Sequence, residues 1–554
     1  MDIVFVAINA KYIHTSPAVR LLNECVDRSF DSKYLEFAIK DKIERMLEKI
    51  LSHKPLIVGF SCYIWNINIV LELARKLKEI NKDIIILLGG PEVSYDIKSF
   101  ISLPYIDYIA SGEGETLINP FIKAIKNKEK IDFKSIASKE KFDVTPNVVK
   151  DLKDIPSIIH TYTKDDFENR IIYYECSRGC PFACEYCLSS LESGVRVIPL
   201  EQIYSDLTYL IENKAKTIKF LDRTFNFNKV RFLELIKFLE KVGQGHTFQF
   251  EITLDLFDEE LLDYFENKVT PDMFRFEIGI QSIHDKVNQA VSRKQDTEKL
   301  LKSVERLING KRVTLHLDLI VGLPYETYDM AVSSFETVFK VFPHELQLGF
   351  LKLLRGTSIR ENASKHGYVY KSEPPYELIS NDYMSEEEVE KFILAEEALE
   401  VYFNKNRARE IFIYLIENDK IDSSFELFYN LGVKLSETKI SDAYDYYKIL
   451  IDVIKKMGYF DKRVSDLFLY CYLTKYPIRP KLRSNIRLER SVVREHLGKY
   501  NKEIKPNTYI FMVNYQDGYL VLCYLTNKIL YYYLEVNGDE FKHELIKVKL
   551  IKGV

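Results

Sequence analysis

Short apolar segments recur along the first two thirds of the chain, and segments with helical spacing separate them. Four apolar segments come first, at residues 2–8, 56–61, 84–88 and 105–110, with helical patterns at 69–80 and 115–125. Buried strands that alternate with helices pair in parallel, because a crossover must carry the chain back before the next strand begins. Residues 1–145 are therefore predicted to form an α/β domain with a doubly wound, Rossmann-like sheet.

A second alternating series begins near residue 171, after a segment over 146–170 that we interpret as a linker. Its six apolar segments lie at 171–175, 217–221, 248–253, 275–280, 314–321 and 345–351. Six strand–helix units fall short of the eight in a complete TIM barrel, so residues 171–362 are predicted to form a partial (β/α)6 TIM-like barrel. Residues 363–554 change to a mostly helical pattern with some terminal β structure, and we assign them to a C-terminal extension.

Composition excludes several classes of protein. A hydrophobic fraction of 46% and a charged fraction of 29% are typical of a soluble globular protein, and the net charge of −4 excludes a globally basic nucleic-acid binder. The sequence shows no secretion signal, and no apolar stretch reaches the ~20 residues of a membrane helix. Eight cysteines are too few for a disulfide scaffold in 554 residues. We therefore expect a cytoplasmic protein in a reducing compartment, with no membrane contact.

Three cysteines form a candidate metal site. Cys180, Cys184 and Cys187 follow a Cys-x3-Cys-x2-Cys pattern directly after the predicted strand at 171–175. Three thiolates at this spacing can bind one 4Fe–4S cluster and leave its fourth iron without a protein ligand. That iron is suited to chelate S-adenosylmethionine, which the reduced cluster would cleave to a 5′-deoxyadenosyl radical. A zinc site is the alternative, with Cys176 as fourth ligand.

The residues around these cysteines carry a family resemblance. The loop reads Ser-Arg-Gly-Cys-Pro-Phe-x-Cys-x-Tyr-Cys over 177–187. It resembles the signature loop of radical S-adenosylmethionine (radical SAM) enzymes that have an N-terminal cobalamin domain. The resemblance implies that Phe182 and Tyr186 contact S-adenosylmethionine, with Tyr186 near the adenine. Cys176 stands where the family often has threonine or serine, so we interpret it as a non-ligand.

Later segments resemble the cofactor-binding strands of the same family. The implied contacts with S-adenosylmethionine are Asp222 for its amine, Gln281 and Ser282 for its ribose and carboxylate, Arg293 for a carboxylate, and Asp318 and Glu326 in the fifth-strand motif near the adenine. Taken singly, a strand-end acid is often an ion-pair partner, and a Gly-Leu-Pro turn is usually only a turn. The order of these segments after the cysteine loop favours the cofactor interpretation.

Segments of the N-terminal region resemble cobalamin-binding domains. Small residues follow three predicted strands, where backbone can approach a ligand at the edge of an open α/β sheet: Ser61, Gly89, Gly90, Gly112 and Gly114. His14 lies near the place of the cobalt-binding histidine, but the Asp-x-His-x-x-Gly pattern is replaced by Tyr-x-His-x-x-Pro. His14 is thus either a cobalt ligand or a hydrogen-bonding group, and in the second case the lower face of cobalt is water or empty. The alternative for the domain is a flavodoxin-like module without a cofactor.

The resemblance as a whole implies a cobalamin-dependent radical SAM methyltransferase that acts on an unactivated centre of an unknown substrate. It also implies an external electron donor such as flavodoxin or ferredoxin. A cobalamin-dependent rearrangement or cyclisation without methyl transfer, and modification of tRNA or protein, are the alternatives. The only specific hint of RNA is the segment 475–505, whose ten Lys and Arg residues otherwise indicate a solvated helical face.

Overall fold

The computed structural model describes residues 1–192, 194–476, 488–537 and 540–550. These residues form two compact units, one of residues 1–344 and 348–389 and the other of residues 345–347 and 390–554. Residues 363–389, which the sequence assigned to the C-terminal extension, thus belong to the first unit. No helix among the described residues combines the length and the apolar character that crossing a bilayer requires.

The N-terminal region is a six-stranded sheet in the order β2-β1-β3-β4-β5-β6 with helices between the strands. All neighbours pair in parallel except β5 and β6, and separate apolar clusters pack on its two faces. The predicted doubly wound sheet is confirmed. Its elements are β1 Ile3–Asn9, α1 Pro17–Glu24, β2 Ser32–Ala38, α2 Ile43–Ser52, β3 Ile57–Ser61, α3 Ile67–Ile80, β4 Ile85–Gly89, α4 Pro91–Ser94, α5 Ile97–Ile101, β5 Tyr108–Ala110, α6 Ile118–Asn127 and β6 Ile136–Ala137.

The second series forms a six-stranded sheet in the order β14-β13-β12-β11-β10-β7, as expected for a partial barrel. Residues of β12 and β13 alternate between fully buried and half-buried positions, with Phe and Leu on the buried face. The elements are α7 Lys164–Asn169, β7 Ile172–Tyr174, β8 Ser177–Arg178, β9 Arg196–Val197, α8 Leu200–Glu212, β10 Thr217–Phe220, α9 Lys229–Val242, β11 Thr247–Ile252, α10 Glu259–Asn267, β12 Phe274–Gln281, α11 Asp285–Ala290, α12 Thr297–Gly310, β13 Thr314–Val321, α13 Tyr328–Phe339 and β14 Glu345–Phe350.

A buried ion-pair network joins the N-terminal sheet to the start of the barrel. Arg20 contacts Glu36 at 2.6 Å and Asp166 at 3.2 Å, while Arg170 contacts Glu36 at 2.6 Å and Asp166 at 2.7 Å. All four side chains are at most 9% exposed. The segment interpreted as a linker therefore ends in a helix, α7, and Asp166 of this helix is ion-paired with Arg20 of the N-terminal region.

Residues that follow β14 pack back against both parts of this unit. The side chains of Tyr368 and Asn381 each donate a hydrogen bond to the Gly322 carbonyl at 3.0 Å. Tyr376 is buried and donates to Glu92 at the start of α4, which also receives Arg355. The segment after β14 thus covers the turn that follows β13 and the start of α4. The elements are α14 Ser358–Glu361, β15 Val369–Tyr370 and β16 Leu378–Ser380.

The remaining described chain is helical and ends in an antiparallel meander with the order β17-β18-β19-β20. The mostly helical extension with terminal β structure is confirmed, although β20 was not predicted. Part of the basic segment 475–505 lies outside the described residues, at 477–487. The elements are α15 Glu386–Leu399, α16 Arg409–Glu417, α17 Ser424–Glu437, α18 Ala443–Lys456, α19 Lys462–Lys475, α20 Arg490–Tyr500, β17 Tyr509–Tyr515, β18 Gly518–Tyr524, β19 Lys528–Asn537 and β20 Glu540–Leu550.

Candidate cofactor and active site

The cysteine loop leaves the barrel after β7 and returns through the short β8–β9 pair. Cys184 is buried, Cys180 and Cys187 are half-buried, and the Cys180 sulfur lies 3.5 Å from the Thr224 hydroxyl. Gly179 has a φ of +92°, and a Cβ there would overlap the Gly194 carbonyl. The glycine in the loop pattern thus has a steric cause, because only glycine fits this turn.

Cys176 differs from the other three cysteines of the loop. Its side chain is 1% exposed, and burial raises the pKa of its thiol well above the usual value, so the protonated form is favoured. Among the described residues, no group of three or more His, Cys, Asp or Glu side chains is arranged to hold a single metal ion. The interpretation of Cys176 as a non-ligand is consistent with its burial.

Asp222 follows β10 and is 2% exposed. Its carboxylate accepts hydrogen bonds from the backbone N–H of Cys176, at 2.9 Å, and from the Ser177 hydroxyl. Burial raises the pKa of Asp222 to about 7. Both bonds hold the beginning of the cysteine loop, and Asp222 does not line the neighbouring cavity. Its predicted contact with the amine of S-adenosylmethionine stays a prediction.

One cavity of about 260 Å³ opens beside the cysteine loop at the carboxyl ends of the barrel strands. Five residues that the sequence predicted for the site line it together: Phe182, Cys184, Gln281, Arg293 and Asp318. Gln281 has a φ of +66°, and its buried side-chain oxygen has no hydrogen-bond partner among the described residues. A strained residue with an unpaired buried acceptor at a cavity wall indicates a site built for a polar ligand.

Arg293 is held in place by protein groups. Its guanidinium donates to the Gly279 carbonyl, to Gln295 at 3.0 Å and to the Tyr186 hydroxyl at 3.3 Å. Tyr186, a residue of the cysteine loop, is thereby held in place, although it does not itself line the cavity. Arg293 lines the cavity, but three of its nitrogens already donate hydrogen bonds to protein acceptors.

Ser282 and Glu326, which the resemblance implied as cofactor contacts, lie behind the cavity wall. Ser282 is 0% exposed, and its hydroxyl lies 3.4 Å from that of Ser334. Glu326 is 1% exposed and accepts the Gly322 N–H at 3.0 Å, so it closes the turn after β13. Burial raises the pKa of Glu326 to about 8. The structure thus gives both residues partners within the protein, and their contacts with a cofactor stay predictions.

Further polar residues of the cavity were missed by sequence reasoning, among them Arg223, Thr224, Glu251, Thr253 and Glu277. Several occupy every second position of otherwise apolar strands, as in the Phe-Arg-Phe-Glu-Ile-Gly-Ile-Gln sequence of β12. That alternation is the signal that could have found them, because one face of each strand must contact helices and the other the barrel interior. Glu277 is paired with Lys219 at 2.7 Å.

The predicted cobalamin residues lie at the carboxyl edge of the N-terminal sheet. Ser61 and Gly89 end the neighbouring strands β3 and β4, and the Ser61 hydroxyl is buried without a partner among the described residues. Gly90 has a φ of +108°, and a Cβ there would lie 2.7 Å from the Cys62 carbonyl. A Cβ on Gly112 would likewise meet the backbone of Asn147, and one on Gly114 would meet Leu22 at 2.8 Å. Gly90 and Gly112 therefore have structural causes that are independent of any ligand, whereas at Gly114 the end of the Leu22 side chain could move aside.

His14 lies in the loop after β1, and its Nδ1 is 2.7 Å from the hydroxyl of Tyr173 on β7. Burial and, secondarily, the charge of Lys11 lower the pKa of His14, so the neutral imidazole is favoured. Of the two alternatives for His14, the hydrogen-bonding group is the one the structure shows directly.

A stacked aromatic pair at the same edge was not predicted. The rings of Tyr63 and Trp65 lie 4.3 Å apart with an interplanar angle of 5°, and Trp65 is 46% exposed. Trp65 donates to the Ile8 carbonyl at 3.1 Å, and the buried Asn66 bonds to the Ile8 and Ser61 carbonyls. The pair thus forms a fixed, flat and partly exposed surface beside the ends of β1 and β3.

Comparison with known proteins decides between the fold-level alternatives. A family model described as B12 binding domain matches residues 3–120, and one described as Radical SAM superfamily matches residues 174–338. The chain is a radical SAM enzyme with a B12-binding domain. A third model, Protein of unknown function (DUF4080), matches residues 364–502 of this radical SAM enzyme.

Curated relatives of this radical SAM enzyme include methyltransferases. An uncharacterized methyltransferase from Pyrococcus horikoshii is 24% identical over 333 residues, 56% of this chain and 71% of that protein. The cobalamin-dependent radical SAM methyltransferase TokK from Streptomyces tokunonensis is 23% identical over 307 residues, 51% of this chain and 44% of TokK. The matched region thus spans less than half of TokK.

Solved structures with the same fold share little sequence with it. The cobalamin-dependent S-adenosylmethionine radical enzyme OxsB, with aqua-cobalamin and S-adenosylmethionine bound, aligns with a TM-score of 0.56 at 14% identity over 91% of this chain and 81% of OxsB. TsrM from Kitasatospora setae, with cobalamin and a [4Fe-4S] cluster bound, aligns with a TM-score of 0.54 at 12% identity over 82% of this chain and 99% of TsrM. These likenesses confirm the predicted fold class.

Proposed function

We propose that this radical SAM enzyme is a cobalamin-dependent methyltransferase that acts on an unactivated centre of its substrate. The observation that carries the proposal is the cavity beside the cysteine loop, where Cys184, Gln281 and Arg293 meet. Curated relatives named as methyltransferases support methyl transfer as the outcome. The cytoplasmic location and a donor such as flavodoxin or ferredoxin are parts of the same proposal.

The residues present fit the groups that the family implies. The loop offers the thiols of Cys180, Cys184 and Cys187, and Cys184 lines the cavity. The Cys176 thiol is buried and does not line the cavity. The unpaired oxygen of Gln281 is an acceptor available to S-adenosylmethionine. The Ser61 hydroxyl and the exposed face of Trp65 border the edge where a corrin would lie. When bound, the cluster supplies the electron that cleaves S-adenosylmethionine, and the corrin supplies the methyl group.

The protein's own contribution is to bind, orient and exclude water. Asp222 holds the beginning of the cysteine loop, and Glu326 holds the turn after β13. Arg293 donates to Tyr186 and so restrains the cysteine loop. Each of these contacts restrains a segment that borders the cavity, and such restraint lowers the cost of bringing reacting groups together.

The first test is anaerobic reconstitution of the wild-type enzyme beside the variants Cys184→Ala and Cys176→Ala. Wild type and Cys176→Ala should each hold about four irons per chain, whereas Cys184→Ala should lose the cluster. Cys176→Ala is the matched control, since both substitutions remove a buried thiol from the same loop. Full iron content in Cys184→Ala would refute the cluster assignment.

The second test supplies methyl-labelled S-adenosylmethionine, cobalamin, a reductant and a small-molecule extract. The proposal expects 5′-deoxyadenosine together with a methyl-labelled product. Formation of 5′-deoxyadenosine with no labelled product would instead favour a rearrangement or cyclisation. The tRNA-modifying alternative has no supporting structural observation, since residues 477–487 lie outside the described chain.

A further inference from the structure

Arg223 lies at the carboxyl end of β10, between the buried residues Asp222 and Thr224. Its side chain lines the cavity beside the cysteine loop and is 53% exposed. Its ion-pair partner is Glu251, at the long distance of 3.6 Å. Its guanidinium donates no hydrogen bond to any of the described residues. Because a guanidinium carries five N–H donors, Arg223 presents most of its hydrogen-bonding capacity to the cavity.

The other guanidinium of the cavity wall is bound differently. Arg293 donates to Gly279, Gln295 and Tyr186, so protein groups determine its position. Lys219, on the strand that Arg223 follows, is paired with Glu277 at 2.7 Å. Arg223 therefore contrasts with both cations, since its donors face open space rather than protein acceptors.

The surroundings of Arg223 place it beside the cluster-binding cysteines. It is close enough to interact electrostatically with the thiols of Cys180 and Cys187 and with Tyr63 of the N-terminal region. An anion bound at Arg223 would lie beside the cysteine loop and face the edge of the B12-binding domain.

The chemistry of the group defines its ligand. A guanidinium with open N–H donors binds carboxylate or phosphate oxygens in pairs, and such charge-assisted bonds are among the stronger ones in proteins. Glu251 at 3.6 Å balances the charge without occupying the donors in short hydrogen bonds. We propose that Arg223 binds a carboxylate or phosphate group of the substrate, an inference that rests on the proposed function and specifies the substrate class.

The test measures binding of labelled inorganic phosphate and labelled acetate to the reconstituted holoenzyme by equilibrium dialysis. The wild type should bind at least one of them, and the anion that binds more tightly identifies phosphate or carboxylate as the group. Arg223→Gln should bind that anion about ten-fold or more weakly, because a hydrogen bond to a charged group is lost. Lys294→Gln removes another cation from the same cavity wall and should change binding less than about two-fold.

Several outcomes would overturn the proposal. The proposal fails if the wild type binds neither phosphate nor acetate. It also fails if Arg223→Gln binds the anion as tightly as the wild type does. A ten-fold weaker affinity of Arg223→Gln for S-adenosylmethionine would show that Arg223 serves the cofactor instead. A changed cluster potential with unchanged anion binding would show that it acts on the cluster. Formation of 5′-deoxyadenosine without substrate is measured in parallel. If the wild type forms no 5′-deoxyadenosine, the proposed function itself fails, whatever the result of the anion binding.

Discussion

The Asp222 carboxylate accepts the backbone N–H of Cys176 at 2.9 Å, so the residue that follows β10 holds the segment that leads into the cluster-binding cysteines. The same carboxylate accepts the Ser177 hydroxyl, and no other part of the loop is held by so deeply buried an acid among the described residues. The position of the three thiols relative to the barrel thus depends on a strand neighbouring the one from which the loop emerges.

Replacement of Asp222 by alanine should weaken the loop and its cluster together. Two buried donors would lose their acceptor, which costs about 1–3 kcal/mol each. We expect a lower apparent Tm and reduced iron per chain after reconstitution, measured by thermal unfolding and iron analysis. Asp206→Ala is the control, because Asp206 is a buried acid whose hydrogen-bond partners, Tyr174 and Ser157, lie outside the cysteine loop. Equal iron in both variants would contradict the assigned role.

The stability of the enzyme should depend on pH through Glu326. Burial raises its pKa from 4.5 to about 8, so the folded protein retains a proton that the unfolded chain loses near pH 4.5. The stability contributed by the neutral acid is therefore complete below pH 4.5 and is lost as pH rises through about 8. Glu326→Gln should reduce the fall in apparent Tm between pH 6 and pH 9, by roughly 2–4 °C for each kcal/mol involved. The exposed residue Glu298 supplies a control, Glu298→Gln, that should follow the wild-type profile.

Trp65 should report on corrin binding, because it is the one tryptophan of the chain. Addition of hydroxocobalamin should quench its fluorescence and make it less accessible to acrylamide. Trp65→Ala should weaken retention of the corrin about ten-fold, whereas Trp65→Phe, which keeps an aromatic face, should weaken it less. Val230→Ala removes an exposed apolar side chain elsewhere and should have no effect. A bound corrin spectrum with unchanged acrylamide accessibility would place the corrin away from this surface.

Arg178 should couple the cysteine loop to the N-terminal sheet. It contacts Glu115 at 2.7 Å, Glu175 at 2.9 Å and Glu113 at 3.4 Å, and its side chain is 11% exposed. Arg178→Gln would leave the Glu115 and Glu175 carboxylates without this cation, whereas Glu113 keeps Arg196 at 2.8 Å. The cost should therefore stay below the ~3–5 kcal/mol of a fully buried pair. Thermal unfolding should show this loss. Arg45→Gln is the control, because it removes the exposed ion pair of Arg45 with Asp41. It should leave the apparent Tm unchanged within error.

Local sequence patterns determined much of the fold and part of the site. The apolar runs of β1, β3 and β4 are continuous because these strands are buried on both faces, which made them easy to predict. β2 was missed because it lies at the sheet edge, where most of its residues are only half-buried. The polar cavity wall was missed because the alternation in β11 and β12 predicts a polar face but does not show that this face borders a cavity.

The sequence by itself determined the cysteine spacing, the glycine that the loop requires and the alternation of strands and helices, since each depends on residues close together in the chain. Only the tertiary structure decided what the distant polar residues do. Asp222 and Glu326 matched cofactor contacts by resemblance, yet both are buried with backbone partners of their own. No sequence pattern assigned a role to Arg223, yet its side chain lines the cavity. The reason is physical: burial and hydrogen-bond partners depend on which strands become neighbours, and that is a property of the assembled sheet.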